Sequence, residues 1–149
     1  MRRMKKKLLF MTMAGILTLS NISSTKVMAA KPIKLVVNGK DITNLSSPII
    51  ENDRTLVPIR FMSEELGAKV TWNDNARTVL VENGNDSVLL RIGNNLVEYN
   101  NGADYQISDV AAKIFKDHTY VPLRLVSNAL NIGVDWDDTQ RTVDVDSNK

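Results

Sequence analysis

The chain has 149 residues, which is enough for one domain or two small lobes. It contains no cysteine, so the fold must be stable without disulfide bonds. Six of its 19 lysines and arginines lie in the first 30 residues, which leaves 13 basic residues against 17 acidic ones, or a charge near −4. The overall charge of +2 therefore belongs to the N-terminal segment and does not indicate a nucleic-acid partner.

Residues 1–29 have the three parts of a secretory signal peptide. Five basic residues precede a 12-residue apolar run from Leu8 to Leu19, and Val27-Met28-Ala29 is a small-residue site for signal peptidase. A bilayer span needs about 20 apolar residues, so a retained membrane anchor is the weaker interpretation. We expect cleavage after Ala29, a secreted or cell-surface location, and contact with the membrane only through the signal peptide.

The next segment predicts short strands around one helix. In chain order the predicted elements are strands at 34–37, 40–43 and 55–57, a helix at 59–66, and a hairpin whose strands begin at 69 and 77. Asn38-Gly39 is a hairpin turn signal. Pro58 cannot donate to a strand ladder, so the helix begins after it, and Gly67 is suited to end that helix. From Lys69 the apolar period changes from 3.6 to 2, which is typical of strands.

The second half repeats the first. Residues 53–81 recur at 117–145 without a gap, and 14 of the 29 aligned positions are identical. The second copy predicts strands at 119–121, 134–136 and 141–145 and a helix at 123–130, while strands at 87–92, 96–99 and 104–107 lie between the copies. Repeated units bury their apolar faces against each other. We therefore predict an α+β fold for residues 30–149: two tandem ββαββ-like repeats (about 33–82 and 87–146), with antiparallel sheet, one short helix each and a pseudo-twofold axis.

The doubled motif resembles a known domain. T-hydrophobic-V-P-[IL]-R, a leucine that ends the helix, V-x-W-[ND]-D and then R-T-V are similar to the copper amine oxidase N-terminal-like domain, also called the stalk domain. The resemblance implies an exported bacterial module that, in the oxidases, lies apart from the catalytic domain. The structural repeat positions are Pro58, Arg60, Trp72, Arg77, Pro122, Arg124, Trp136 and Arg141. Asn128 and Asn131 replace Glu64 and Gly67 in the second copy, so equivalent sites in both halves are not expected.

The side chains present do not form a recognisable catalytic or metal site. Copper and zinc need several imidazoles or thiolates, and His118 is the one histidine of the chain. We interpret it as an exposed structural residue of a turn. Five aspartates near the last hairpin lack the EF-hand spacing, and we interpret them as a solvated strand edge: Asp135, Asp137, Asp138, Asp144 and Asp146. We predict no enzyme activity, no metal and no cofactor, with a small glycan hydrolase acting through paired carboxylates as a remote alternative.

The repeated tryptophans and arginines have both a structural and a binding interpretation. Trp72 and Trp136 could stack on sugars, but their strand positions favour core anchors. Arg60 and Arg124 could grip an anion, although a latch to carbonyls or carboxylates of the adjoining hairpin is favoured. The remaining pair, Arg77 and Arg141, is expected to bind Asp74 and Asp138 locally.

These observations favour a non-catalytic exported cell-surface module for binding or scaffolding, in contact with a cell-wall polymer or another envelope protein. The alternative is a protein-binding partner or inhibitor of an envelope enzyme. The sequence does not identify the residues that bind the ligand.

Overall fold

The computed structural model describes residues 31–45 and 47–148 of the chain. The predicted signal peptide, residues 1–29, lies outside the described residues. Thirteen strands and two α-helices follow one another: β1 (Lys34–Val37), β2 (Lys40–Asp41), β3 (Ile49–Glu51), β4 (Arg54–Pro58), α1 (Ile59–Leu66), β5 (Lys69–Asn73), β6 (Thr78–Asn83), β7 (Asp86–Arg91), β8 (Leu96–Tyr99), a 3-10 turn (Asn100–Gly102), β9 (Asp104–Ile107), β10 (Lys113–Phe115), β11 (His118–Pro122), α2 (Leu123–Ala129), β12 (Gly133–Asp137) and β13 (Thr142–Asp146).

The described strands form three sheets. Sheet I has the order β12-β13-β1-β2, sheet II the order β10-β11-β4-β3, and sheet III the order β5-β6-β7-β8-β9. With two short helices this is an α+β fold of mainly antiparallel sheets, as predicted. One pair of strands corrects the antiparallel expectation, because β1 lies parallel to β13. These two strands come from opposite ends of the domain, so no hairpin turn fixes their relative direction.

The centre of sheet II joins the two halves of the chain. Strand β4 pairs antiparallel with β11, with Val57 opposite Val121, Leu56 opposite Pro122, and Pro58 opposite Tyr120. Both prolines stand at the last position of their strands, where a missing N–H interrupts little of the ladder. The ladder therefore passes directly from one half to the other.

Each helix begins after a buried proline and packs one face on the sheets. Helix α1 has the predicted bounds and buries Ile59, Met62 and Leu66. Gly67 then takes a left-handed φ of 69°, and the N–H of Ala68 donates to the Ser63 carbonyl at 3.0 Å. This is the glycine C-cap that the sequence predicts.

Helix α2 ends one residue before its predicted end. Leu130 has a φ of −101° and a ψ of 6°, outside the helical range, although it is buried. Asn131 supplies the left-handed residue, with a φ of 54°. Asparagine tolerates this conformation less well than glycine but better than most residues, so the chain turns at a comparable place.

One apolar core contains side chains from both halves. It combines buried residues of β1, β4, α1, β6 and β7 with buried residues of β11, α2 and β13, among them Leu35, Val57, Met62, Val79, Leu90, Val121, Val126 and Val143. Residues from all three sheets therefore leave water together on folding. Neither helix in the described part of the chain is long and apolar enough to cross a membrane.

Candidate functional site

An open groove of about 600 Å³ lies where elements from both halves of the chain meet. Its walls are the β3–β4 hairpin, the end of β9, the start of α2, and β12. We call it the Trp136 groove. Three of its lining side chains are large, apolar and exposed to water: Ile50 at 50%, Ile107 at 69% and Trp136 at 41%. Clustered apolar side chains in a concave surface are typical of binding sites.

The two repeated tryptophans lie in different surroundings. Trp72 is half-buried and packs against the main core, as predicted. The same prediction is wrong for Trp136, which is exposed at the edge of the groove. Both indole N–H groups donate to an aspartate of the adjacent turn, Trp72 to Asp74 and Trp136 to Asp138, the latter at 3.3 Å. The hydrogen bond orients the Trp136 ring without covering it.

These indole contacts replace the predicted arginine pairs. Among the described residues, Arg77 forms no ion pair with Asp74 and Arg141 forms none with Asp138. Both arginines take a left-handed φ, 51° for Arg77 and 52° for Arg141, at the end of the turn. The Arg141 Nε donates instead to the Lys31 carbonyl at 3.1 Å.

The groove carries charges of both signs. Arg54 of the β3–β4 hairpin forms an ion pair with Asp109, which follows β9. This pair joins two walls of the groove. Asp53, Arg124 and Asp135 also line it. Partner selection in such a site depends on the placement of charges as well as on apolar area.

The two arginines that the sequence predicts as latches are both exposed. Arg124 is exposed in the first turn of α2, between the buried Leu123 and Leu125, and faces the groove. Arg60 is exposed at the matching position of α1. The alternation of buried and exposed residues along the helix turns both arginines towards water.

The matching place in the first half is occupied by an aromatic pair. At an offset of 64 residues, Phe61 occupies the position of Leu125, and His118 occupies the position of Arg54. The rings of Phe61 and His118 pack edge to face with their centroids 5.2 Å apart. His118 therefore has a packing contact, but it is half-buried at the start of β11 rather than exposed in a turn as predicted.

The two groups with shifted pKa values lie outside the groove. The hydrogen bond from the Thr43 hydroxyl, followed by that from the Thr43 N–H at 2.9 Å, lowers the pKa of Asp41. Burial raises the pKa of Tyr99, and the nearby Asp104 adds to the shift. In the described part of the chain no three histidine, aspartate or glutamate side chains are placed to hold a metal ion.

Comparison with known proteins assigns the domain. The model of the copper amine oxidase N-terminal domain matches residues 36–145, which include both copies of the repeated segment. The chain belongs to this family. The family resemblance seen in the sequence is thereby confirmed, and the domain is a non-catalytic, stalk-type module.

A curated relative extends the comparison. A protein from Brevibacillus choshinensis named protease inhibitor is 27% identical over 139 residues. The alignment covers 92% of this chain and 42% of that protein. The chain thus spans about two fifths of the length of the relative that it matches.

Sequence reasoning missed two of the three exposed apolar side chains of the groove. The local pattern does not single out Ile50, and it predicts Ile107 only as the end of a strand. Strand β9 alternates Tyr105 and Ile107 with Asp104 and Gln106, which would normally mark a face turned to the core. In the structure all four residues are exposed. The sequence thus contains the apolar alternation, but it does not show whether other elements cover this face. In the structure β9 lies at the free end of sheet III and its residues are exposed.

Proposed function

We propose that this protein is a non-catalytic binding module, exported to the cell surface, that holds a partner macromolecule in the Trp136 groove. The exposed Trp136 ring at the edge of an open groove carries the proposal, because tryptophan is among the residues that most often dominate binding energy. The membership of a non-catalytic family supports it. Export is supported by the signal-peptide pattern of residues 1–29.

We further propose that the domain consists of two repeats related by a pseudo-twofold axis. Segments β3-β4-α1-β5-β6 and β10-β11-α2-β12-β13 have the same order at an offset of 64 residues. The β4–β11 register supports an axis through the pair Val57 and Val121, which lie opposite each other and are counterparts at this offset. On either side of this pair, Leu56 faces Pro122, and Pro58 faces Tyr120, the counterpart of Leu56. In this arrangement the shared core is the scaffold, and divergence at Phe61 and His118 closes one groove and leaves the other open.

The test is capture of a partner with matched variants of the full chain, purified after export. We expect Trp136→Ala and Ile50→Ala to weaken capture from a cell-envelope extract by about tenfold or more. Ile114 occupies the position of Ile50 in the second copy and is 45% exposed, so Ile114→Ala is the matched control and should bind normally. Unchanged capture by both groove variants would overturn the proposal.

A second experiment decides the chemical class of the partner. Retention of the protein on purified peptidoglycan above a control protein, lost in Trp136→Ala, would support a wall polymer. Co-purification with one envelope protein and indifference to glycans would support a protein partner. The groove offers both an aromatic face and charged side chains, so each class has a physical basis.

The name of the Brevibacillus relative favours a second candidate, an inhibitor of an exported protease. The expected result is stoichiometric loss of protease activity when the chain is added to a panel of secreted bacterial proteases. Trp136→Ala distinguishes inhibition through the groove from inhibition through another surface. Full protease activity at large excess of the chain would remove this candidate.

A further inference from the structure

Strand β12 has a free edge beside the Trp136 groove. It lies at the end of sheet I and pairs only with β13 among the described strands. On the other side of β13, the N–H of Lys34 donates to the Arg141 carbonyl at 2.9 Å, and the N–H of Asn38 donates to the Val145 carbonyl at 2.8 Å. Odd-numbered residues of β13 therefore direct their backbone groups to β1, and even-numbered ones direct theirs to β12.

This alternation decides which backbone groups of β12 are open. Asp135 and Asp137 lie opposite the even-numbered Asp144 and Thr142, so their N–H and C=O groups face β13. Val134 and Trp136 lie opposite odd-numbered residues, and their N–H and C=O groups face the open edge. An edge with open backbone groups is a template for another strand.

We propose that the occupant of the groove is an extended peptide segment of a partner protein, which adds to β12 as a further strand and carries lysine or arginine at alternate positions. The inference rests on the proposed function and names the partner class. Strand addition of this kind combines backbone hydrogen bonds for affinity with side-chain pockets for selectivity.

The length of β12 fits such an occupant. The strand has five residues, and an added strand of the same length would run about 17 Å along it, at about 3.3 Å per residue. Every second side chain of the added strand would lie over the groove beside Val134 and Trp136, where apolar side chains fit.

The charge on the other face of sheet I favours basic side chains at the remaining positions of the added strand. The other face of the sheet carries four carboxylates on neighbouring strands, which belong to Asp41, Asp137, Asp144 and Asp146. The basic residue on this face among the described strands is Lys34. A strand added to β12 places its second set of side chains next to Asp137, on a face that also carries Asp144 and Asp146, so cations are favoured and anions are repelled.

The first copy provides an internal control edge. Strand β5 also lies at the end of its sheet, with Val70 at the position of Val134. Its counterparts of Asp135 and Asp137 are the uncharged Thr71 and Asn73. Lys69 of this strand is paired with Glu82 at 3.3 Å. The β5 edge therefore has the same backbone but lacks the acidic face.

The experiment uses the exported full chain and three soluble probes: a short peptide that alternates lysine with valine and threonine, the same peptide with glutamate for lysine, and a peptidoglycan fragment. Binding is measured by isothermal titration calorimetry at low and high salt. Val134→Pro removes one open N–H, and proline is tolerated on an edge strand where its nitrogen faces solvent. Val70→Pro is the matched control on β5. Asp137→Asn with Asp144→Asn tests the charge without changing the backbone.

We expect the lysine peptide to bind, the glutamate peptide not to bind, and affinity to fall with salt. Val134→Pro should weaken binding by up to about tenfold and Val70→Pro should leave it unchanged. The double asparagine variant should reduce both the affinity and its salt dependence, which keeps the proposal testable if Val134→Pro fails to fold.

Two results would overturn the inference. The first is equal binding of the lysine and glutamate peptides. The second is binding of the peptidoglycan fragment alone with loss in Trp136→Ala, in which case the proposed binding function stands with a glycan partner. If capture of an envelope partner survives Trp136→Ala and neither peptide nor glycan binds, the inference and the proposed function both fail.

Discussion

Substitution of Val57 or Val121 tests whether the two halves are one cooperative unit. These valines lie opposite each other where β4 pairs with β11, and both are fully buried at 0% exposure. Val57 belongs to the first half of the chain and Val121 to the second. If each half depends on the other for its core, either substitution by alanine destabilises the entire domain.

The expected magnitude follows from the atoms removed. Each Val→Ala change deletes two buried methyl groups, which is about 1.6 kcal/mol of lost transfer free energy. The cavity that remains raises the cost to roughly 2–3 kcal/mol, because neighbours in a closely packed core relax only in part. Since the two side chains are direct neighbours, the double variant should depart from the sum of the single costs by about 0.5 kcal/mol or more.

Urea unfolding followed by tryptophan fluorescence can observe each half separately. Trp72 reports on the first half and Trp136 on the second, so the valine variants are made in Trp72→Phe and Trp136→Phe backgrounds. We expect the same midpoint from both probes for every variant, because a single transition moves the entire domain. Two separate midpoints, or a Val57→Ala effect seen by Trp72 alone, would refute the shared core as the basis of stability.

The remaining predictions concern the two copies and the effect of alkaline pH. Gly67→Ala places a Cβ at a φ of 69° with no atom within 4 Å, so the variant should lose about 1–2 kcal/mol of stability in urea unfolding through backbone strain alone. Asn131→Gly, at the corresponding position of the second copy, should change the stability by less than about 0.5 kcal/mol. Trp72→Ala should cost roughly 2–3 kcal/mol and Trp136→Ala less than about 1 kcal/mol, because only Trp72 packs against the core; equal costs would contradict the different burial. Burial raises the folded-state pKa of Tyr99 above its ordinary value of 10.0. The stability that the neutral phenol contributes is therefore present below that pH and is lost as the pH rises through the folded-state pKa. Tyr99→Phe should therefore lose less stability than the wild type in denaturation measured above pH 10.0.

Local signals in the sequence were sufficient for the helices and most strands. Pro58 and Gly67 bound α1 because one lacks a donor and the other adopts a positive φ at little cost. The Asn38-Gly39 signal likewise gives the turn between β1 and β2, with φ values of 49° and 77°. These are short-range effects of backbone chemistry, so a single sequence contains them.

The pairing of the strands could not be predicted from local signals in the same way. The parallel pairing of β1 with β13 joins residues about 108 positions apart, such as Lys34 and Thr142, and no turn chemistry specifies it. Alternation of apolar residues placed Trp136 on a core-facing side of β12, but whether that side is covered depends on which elements pack over it. The groove is a property of this packing, which the local pattern does not contain.

Strand β7 makes the arrangement of sheet III different from that of sheet I. In sheet III, β7 stands between β6 and the β8–β9 hairpin, whereas in sheet I, the β1–β2 hairpin pairs directly with β13 through β1. The Asn101-Gly102 and Asn38-Gly39 signals mark these hairpins as counterparts. One additional strand places β9 about 4.8 Å further along its sheet than β2. Asp109, which follows β9, binds Arg54 of the other half of the chain, and the end of β9 lines the groove through Gln106 and Ile107.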